Sequence, residues 1–234
     1  MALIVVSAEE FARAAVTALE RALAGVARPC IGLPTGSTPI PMYQRLLETG
    51  FTFAEGTRAF ALDEYCWPDA GHPGTNASFF DQYWRVRRGV PQVAVPRADA
   101  ADAAAEIEQH CRAIERAGGL DVAVLGIGAN GHIAFNEPGS AREAPCRVVR
   151  LTEETRRAAG SIWDAQPPTE GMTVGVAAIM AARQVILLAT GAAKAEILHT
   201  ALTGPVTPSV PASFLQEHPA LSVICDTDAG ARLI

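Results

Sequence analysis

Short apolar runs that stop in small-residue turns, each followed by a helical pattern, recur along this chain and leave few folds open to it. The runs fall at residues 2–6, 30–33, 58–62, 122–125, 147–151, 172–176, 184–190 and 221–225. Apolar residues at helical spacing fill residues 11–23 and 99–117, and helical patterns also cover 152–163 and 211–218. Uniformly apolar strands read as buried on both faces, which is the habit of parallel sheets. The alternation therefore predicts a three-layer α/β fold, a Rossmann-like, mostly parallel sheet with helices on both faces and right-handed crossovers. At 234 residues, with 49% hydrophobic and 19% charged, the chain can close one large core, and we read residues 1–234 as a single domain.

Open sheets of this kind bind ligands at the carboxyl ends of their strands, so the turns there carry the functional signal. Residues 121–139 read DVAVLGIGANGHIAFNEPG. The run ending at Leu125 meets three glycines, then Asn130, His132 and Glu137. His132 and Glu137 are five residues apart, so no regular helix or strand puts them on one face. Their cooperation requires irregular backbone, which Pro138 and Gly139 would suit. Gly126, Gly128 and Gly131 also satisfy the G-x-G-x-x-G spacing of dinucleotide sites. The context fails, because Pro138 and Gly139 cut off a long helix and the region about 20 residues on, Arg147 to Arg150, offers no terminal acid.

A second turn follows Cys30-Ile-Gly-Leu33. Thr35, Gly36, Ser37 and Thr38 are small residues that expose backbone N–H groups ahead of a helix, with Thr38 suited to the N-cap and Pro39 to the first helical position. Such a turn is a ready cradle for phosphate or carboxylate. An ordinary strand-to-helix turn would look the same. Lys194 falls in the first turn of a later helix, where it opposes the helix dipole unless an anion lies nearby. Asp63 and Glu64 follow another strand directly; such acids are loop residues in most chains and candidates for chemistry at this edge. Cys66 beside them has no adjacent base and reads as an inert thiol, and His72 gets no role from its surroundings in the chain.

A net charge of −6 disfavours nucleic acid and anionic membranes. The five cysteines are scattered, with no C-x-x-C pair, and read as reduced thiols of a cytoplasmic protein rather than a disulfide frame or metal site. The first residues lack a secretory leader, and no apolar run is long enough to span a bilayer. A homo-oligomer remains open.

Six stretches together resemble the glucosamine-6-phosphate deaminases (also called isomerases). They are GLPTGSTP from Gly32, LDEY from Leu62, LGIGANGHIAFNEPG from Leu125, MTVGV from Met172, ATGAAKAEIL from Ala189 and PASFLQEHP from Pro211, in the family's order. The resemblance implies conversion of a hexosamine 6-phosphate to a ketohexose 6-phosphate and ammonia, with neither metal nor organic cofactor. It implies Asp63 as the base that moves the C2 proton, His132 as the ring-opening residue and Glu137 as its support. Asn130 stands where many members carry aspartate. The phosphate would be held by Thr35, Gly36, Ser37, Thr38 and Lys194. One departure concerns the flap motif T-R-x-x-N-x-R-F, whose last arginine is Ser161 here and whose asparagine is Ala159. Arg157, about one helical turn earlier, is expected to substitute, or Arg156. The short C-terminus implies no activation by an amino sugar. The related 6-phosphogluconolactonases share the glycines and the histidine, so a lactone hydrolase is the alternative; a sugar-phosphate sensor without turnover is the third reading.

Overall fold

The structure is a computed structural model that describes residues 1–84, 89–160, 163 and 167–233. β1 (Ala2–Val6) leads into α1 (Ala8–Leu23), whose N-cap Ser7 accepts a hydrogen bond from the Glu10 N–H. β2 (Cys30–Leu33), α2 (Ile40–Glu48), β3 (Arg58–Ala61), β4 (Asp63–Tyr65), α3 (Asn76–Tyr83), β5 (Val93–Ala94), α4 (Ala103–Arg116) and β6 (Val122–Gly126) follow. Then come β7 (Arg147–Arg150), α5 (Glu153–Ala159), β8 (Glu170–Thr173), α6 (Val176–Met180), β9 (Gln184–Ala189), α7 (Ala195–Thr203) and β10 (Leu221–Asp226), with 3-10 turns at Ala192–Lys194 and Pro211–Glu217.

Seven strands form one sheet in the order β1-β10-β9-β6-β2-β3-β5, and every pair is parallel. Side chains alternate across it, as a pleated strand requires. From β6, Val122 and Val124 join Phe11, Leu19, Tyr43 and Trp84 in one core, while Ala123 and Leu125 join Ile107, Ile114, Leu198 and Leu202 in the other. This is the three-layer α/β fold that the alternating pattern predicts. The chain walks outward from β2 through β3 to β5 in one direction and from β6 through β9 to β10 in the other. The direction reverses between β2 and β6, so the crevice belongs beyond their carboxyl ends.

Several local expectations move. Asp63, Glu64 and Tyr65 are not loop residues: they form β4, which pairs antiparallel with β8, itself antiparallel with β7, in a small second sheet. β8 ends at Thr173 and Val176 opens α6 behind its N-cap Gly175, where only glycine fits because an added Cβ would stand 2.2 Å from the Ala144 carbonyl. Thr38 is not the N-cap of α2; Pro39 is, without a side-chain bond, behind a turn closed from the Ile40 N–H to the Ser37 carbonyl. α4 begins at Ala103 behind Asp102, whose carboxylate accepts from the Ala105 N–H.

The cysteine reading is also corrected. Cys111 on α4 and Cys146, just before β7, form a disulfide across 35 residues of chain. Packing of α4 against β7 brings them together, a juxtaposition that no local spacing displays. Cys30, Cys66 and Cys225 are free, and burial pushes each thiol up to about 11, which keeps them inert. Among the described residues no helix is long and apolar enough to cross a membrane.

Candidate active site

Four adjacent strands deliver the site. β9, β6, β2 and β3 lie side by side, and the chain leaving each of them reaches one cavity of about 450 Å³. Thr35, Gly36, Ser37 and Thr38 line it from the turn after β2. Asp63 enters after β3, Asn130 and His132 after β6, and Lys194 after β9. Gly36 has φ +94°, a conformation that glycine adopts without strain. Burial lowers the Lys194 pKa while the Glu154 carboxylate raises it, so a bound anion would restore what desolvation withholds.

His132 is held from behind. Its Nδ1 lies 2.8 Å from Asn130 Oδ1 and 3.2 Å from Thr155 Oγ1. The Asn130 amide group donates to Glu137 Oε2 at 2.9 Å and to Thr152 Oγ1 at 3.2 Å, so its carbonyl oxygen must face the imidazole. Nδ1 therefore carries the proton and donates to Asn130, and Nε2 has no hydrogen bond among the described residues. The ring lies flat against Gly128, where an added Cβ would stand 2.2 Å from it. The irregular backbone that joins His132 to Glu137 is present, but it sits earlier than Pro138 and Gly139. Ala134 has φ +48°, left-handed for a residue with a side chain, between the bridged Ile133 and Asn136. That reversal brings Glu137 Oε2 to 3.6 Å from His132 Nδ1. Burial pushes the Glu137 carboxyl up, but the nearby His132 ring, the Thr155 hydroxyl and the Asn130 amide outweigh it and hold the group at about 2. Glu137 itself is a wall behind the histidine and does not line the cavity.

Asp63 is 8% exposed, and burial pushes its carboxyl up to about 7 against the opposing His132 charge and a hydrogen bond from Asn76. A carboxyl poised near neutrality in a cavity can both take and return a proton. Glu64 next to it is fully buried and accepts from the Tyr65, Asn76 and Ala77 N–H groups, so it anchors the start of α3 and does not line the cavity.

Arg157 is not brought into the site. It lies on the exposed face of α5, paired with Glu153 one turn back at 3.0 Å, and it does not line the cavity. Arg156 is half-buried and donates to the Pro167 carbonyl instead. Ser161 lies outside the described residues. Sequence reasoning misses Thr152 and Thr155, whose only local signal is helix capping, and it misses Asn76 and Trp163. Trp163 stacks on His72 at 4.3 Å with rings 6° apart, and its edge meets Tyr65 and Trp67, giving the cavity an aromatic side. No helix follows the glycines after β6 until α5, which removes the dinucleotide reading.

The chain is similar to several known proteins. The glucosamine-6-phosphate deaminase of Leuconostoc citreum is 38% identical over 204 residues, covering 86% of this chain and 87% of that protein. That of Beutenbergia cavernae is 40% identical over 213 residues, covering 88% and 82%. A monomeric glucosamine-6-phosphate deaminase of known structure superposes with a TM-score of 0.91 at 28% identity, covering 99% of this chain and all of the other. A 6-phosphogluconolactonase from Trypanosoma brucei shares the fold at a TM-score of 0.77 and 22% identity. Residues 5–223 match the family model described as glucosamine-6-phosphate isomerases/6-phosphogluconolactonase, and the chain belongs to that family.

Proposed function

We propose that the chain is a glucosamine-6-phosphate deaminase that converts its substrate to a ketohexose 6-phosphate and ammonia. One observation carries this reading: a near-neutral carboxyl, an imidazole whose Nε2 has no hydrogen bond among the described residues and a small-residue turn with a half-buried lysine all face one cavity. The turn at residues 35–38 and Lys194 grip the phosphate, and that remote binding energy positions the reacting carbons. His132 Nε2 moves the proton of the ring-opening step, with Asn130 and Glu137 keeping Nδ1 protonated and stabilising positive charge on the ring. Asp63 takes the C2 proton of the open chain and returns it to C1, which is why a pKa near 7 suits it. Water then adds to the C2 imine that this proton shift leaves, the C–N bond breaks with release of ammonia, and the water oxygen becomes the ketose carbonyl. The curated relatives named as deaminases support this reading over lactone hydrolysis.

The substrate is a charged sugar phosphate that cannot cross a bilayer unaided, so we place the enzyme in the cytoplasm with a small-molecule partner and no nucleic acid. The deciding experiment measures ammonia and ketose phosphate from glucosamine 6-phosphate, with 6-phosphogluconolactone as control. Asp63→Asn is expected to lower turnover by about a hundred- to ten-thousandfold, as loss of an acid–base group does. Near-parental turnover in that variant, or lactone hydrolysis without ammonia release, would end the reading.

A further inference from the structure

Between the phosphate turn and Asp63 stands one side chain that neither the sequence motifs nor the reaction outlined above uses. Asn76, the first residue of α3, is 4% exposed and lines the same cavity. Its Nδ2 donates to Asp63 Oδ1 at 2.6 Å and to the Asp63 carbonyl at 2.9 Å. Its Oδ1 accepts from Thr35 Oγ1 at 3.0 Å. The amide orientation is determined by these partners, because the Asp63 backbone carbonyl can only accept and the Thr35 hydroxyl is free to donate. The backbone beneath it is pinned as well: the Asn76 and Ala77 N–H groups donate to the two oxygens of buried Glu64, at 2.8 and 2.9 Å. A side chain held at both ends and at its root has little rotamer freedom left, so it passes that order to its neighbours.

We propose that Asn76 is a positioning residue that fixes the rotamer and ionised form of Asp63 from the phosphate-gripping turn. The role rests on the deaminase reading. Asn76 does not touch the reacting carbons; it ties the element that holds the phosphate to the group that moves the proton. The groups that face Asp63 are His132 from the turn after β6, Tyr43 from α2, and Glu64 and Tyr65 from its own strand. Of the hydrogen bonds that face its carboxylate, the one from Asn76 favours the charged form.

Two variants test this. Asn76→Ala removes the donor, and Asn76→Asp keeps the shape and the backbone bond to Glu64 but replaces the donor with a second acid. In Asn76→Ala the acid limb of the pH–kcat profile is expected to move up by about 1–2 pH units, the worth of a hydrogen bond to a charged group. Turnover at pH 7.5 should fall about ten- to a hundredfold, with KM changed by less than about threefold because residues 36–38 and Lys194 still hold the phosphate. In Asn76→Asp the limb should move further up, since two carboxylates at this spacing share a proton. A second readout needs no turnover: the substrate-free enzyme carrying 13C-carboxyl aspartate is titrated by NMR, with Asp63 assigned by its loss in Asp63→Asn. Its midpoint should rise in both Asn76 variants. A merely structural Asn76 would lower the melting temperature and leave the acid limb and the Asp63 midpoint in place, and that result overturns the proposal. Absence of ammonia from the parent enzyme overturns the deaminase reading and with it the catalytic role, even where the Asp63 midpoint moves.

Discussion

Asp63 carries opposite demands at a single residue. The proposed chemistry needs the carboxylate within the cavity, while burial makes that charge costly and pushes the group from 3.8 to about 7. A base works only when ionised, so activity should rise from pH 6 to pH 8 with an acid limb near 7, read from kcat against pH. Stability runs the other way. The folded state keeps a proton that the unfolded chain releases near pH 4, so this contribution is intact below that and lost as pH rises through about 7. Glu64, raised from 4.5 to about 7 by burial, acts in the same sense. Glu137, held at about 2, acts oppositely: its contribution is present above 4.5 and lost as pH falls toward 2. Asp63→Asn should therefore gain on the order of 1–3 kcal/mol at pH 8, seen as a melting temperature several degrees higher than the parent's. An unchanged or lower value would mean that the charge is solvated better than its burial implies.

At the scale of elements, the loop from Gly126 to Arg147 shows how much depends on contacts beyond the loop. Asn136 donates through its amide to the Ile133 and Val174 carbonyls and accepts from Arg147, which also reaches Ser140 Oγ and the Pro145 carbonyl. These bonds hold the left-handed Ala134 in place, and Cys146 next to Arg147 is tied to α4 by the disulfide. A crosslink closing 35 residues should stabilise by roughly 3–4 kcal/mol on loop entropy. Reduction with a dithiol, or Cys111→Ser/Cys146→Ser, should lower the urea midpoint accordingly. Equal midpoints with and without reductant would show that the pair contributes nothing.

On the proposed function, the whole molecule is a frame for one anion. The net charge is −6, so no overall field draws a phosphate in, and local donors must do it. The donors proposed above follow two strands that are separated in the sheet only by β6. Inorganic phosphate at about a hundred times its dissociation constant should then protect the fold by about 2.7 kcal/mol against thermal unfolding. Lys194→Ala should remove most of that protection while leaving the unliganded melting temperature nearly as it was. Equal protection of the variant would exclude Lys194 from the phosphate site.

The alternation of apolar runs and amphipathic helices suffices to specify the three-layer sheet, because burial on both faces leaves a strand no polar side to show. That Thr35, Asp63, Asn130, His132 and Lys194 would share one cavity was also legible, since strand ends in such a sheet converge on one edge. That Arg157 would lie outside that cavity was not, because charge and helical spacing do not reveal which face of α5 meets solvent. The pairing of Cys111 with Cys146, the second sheet that carries Asp63, and the placement of Asn76 between Thr35 and Asp63 are long-range facts. Each joins segments whose local patterns are silent about one another, and only packing of the complete chain brings them within a hydrogen bond or a covalent bond.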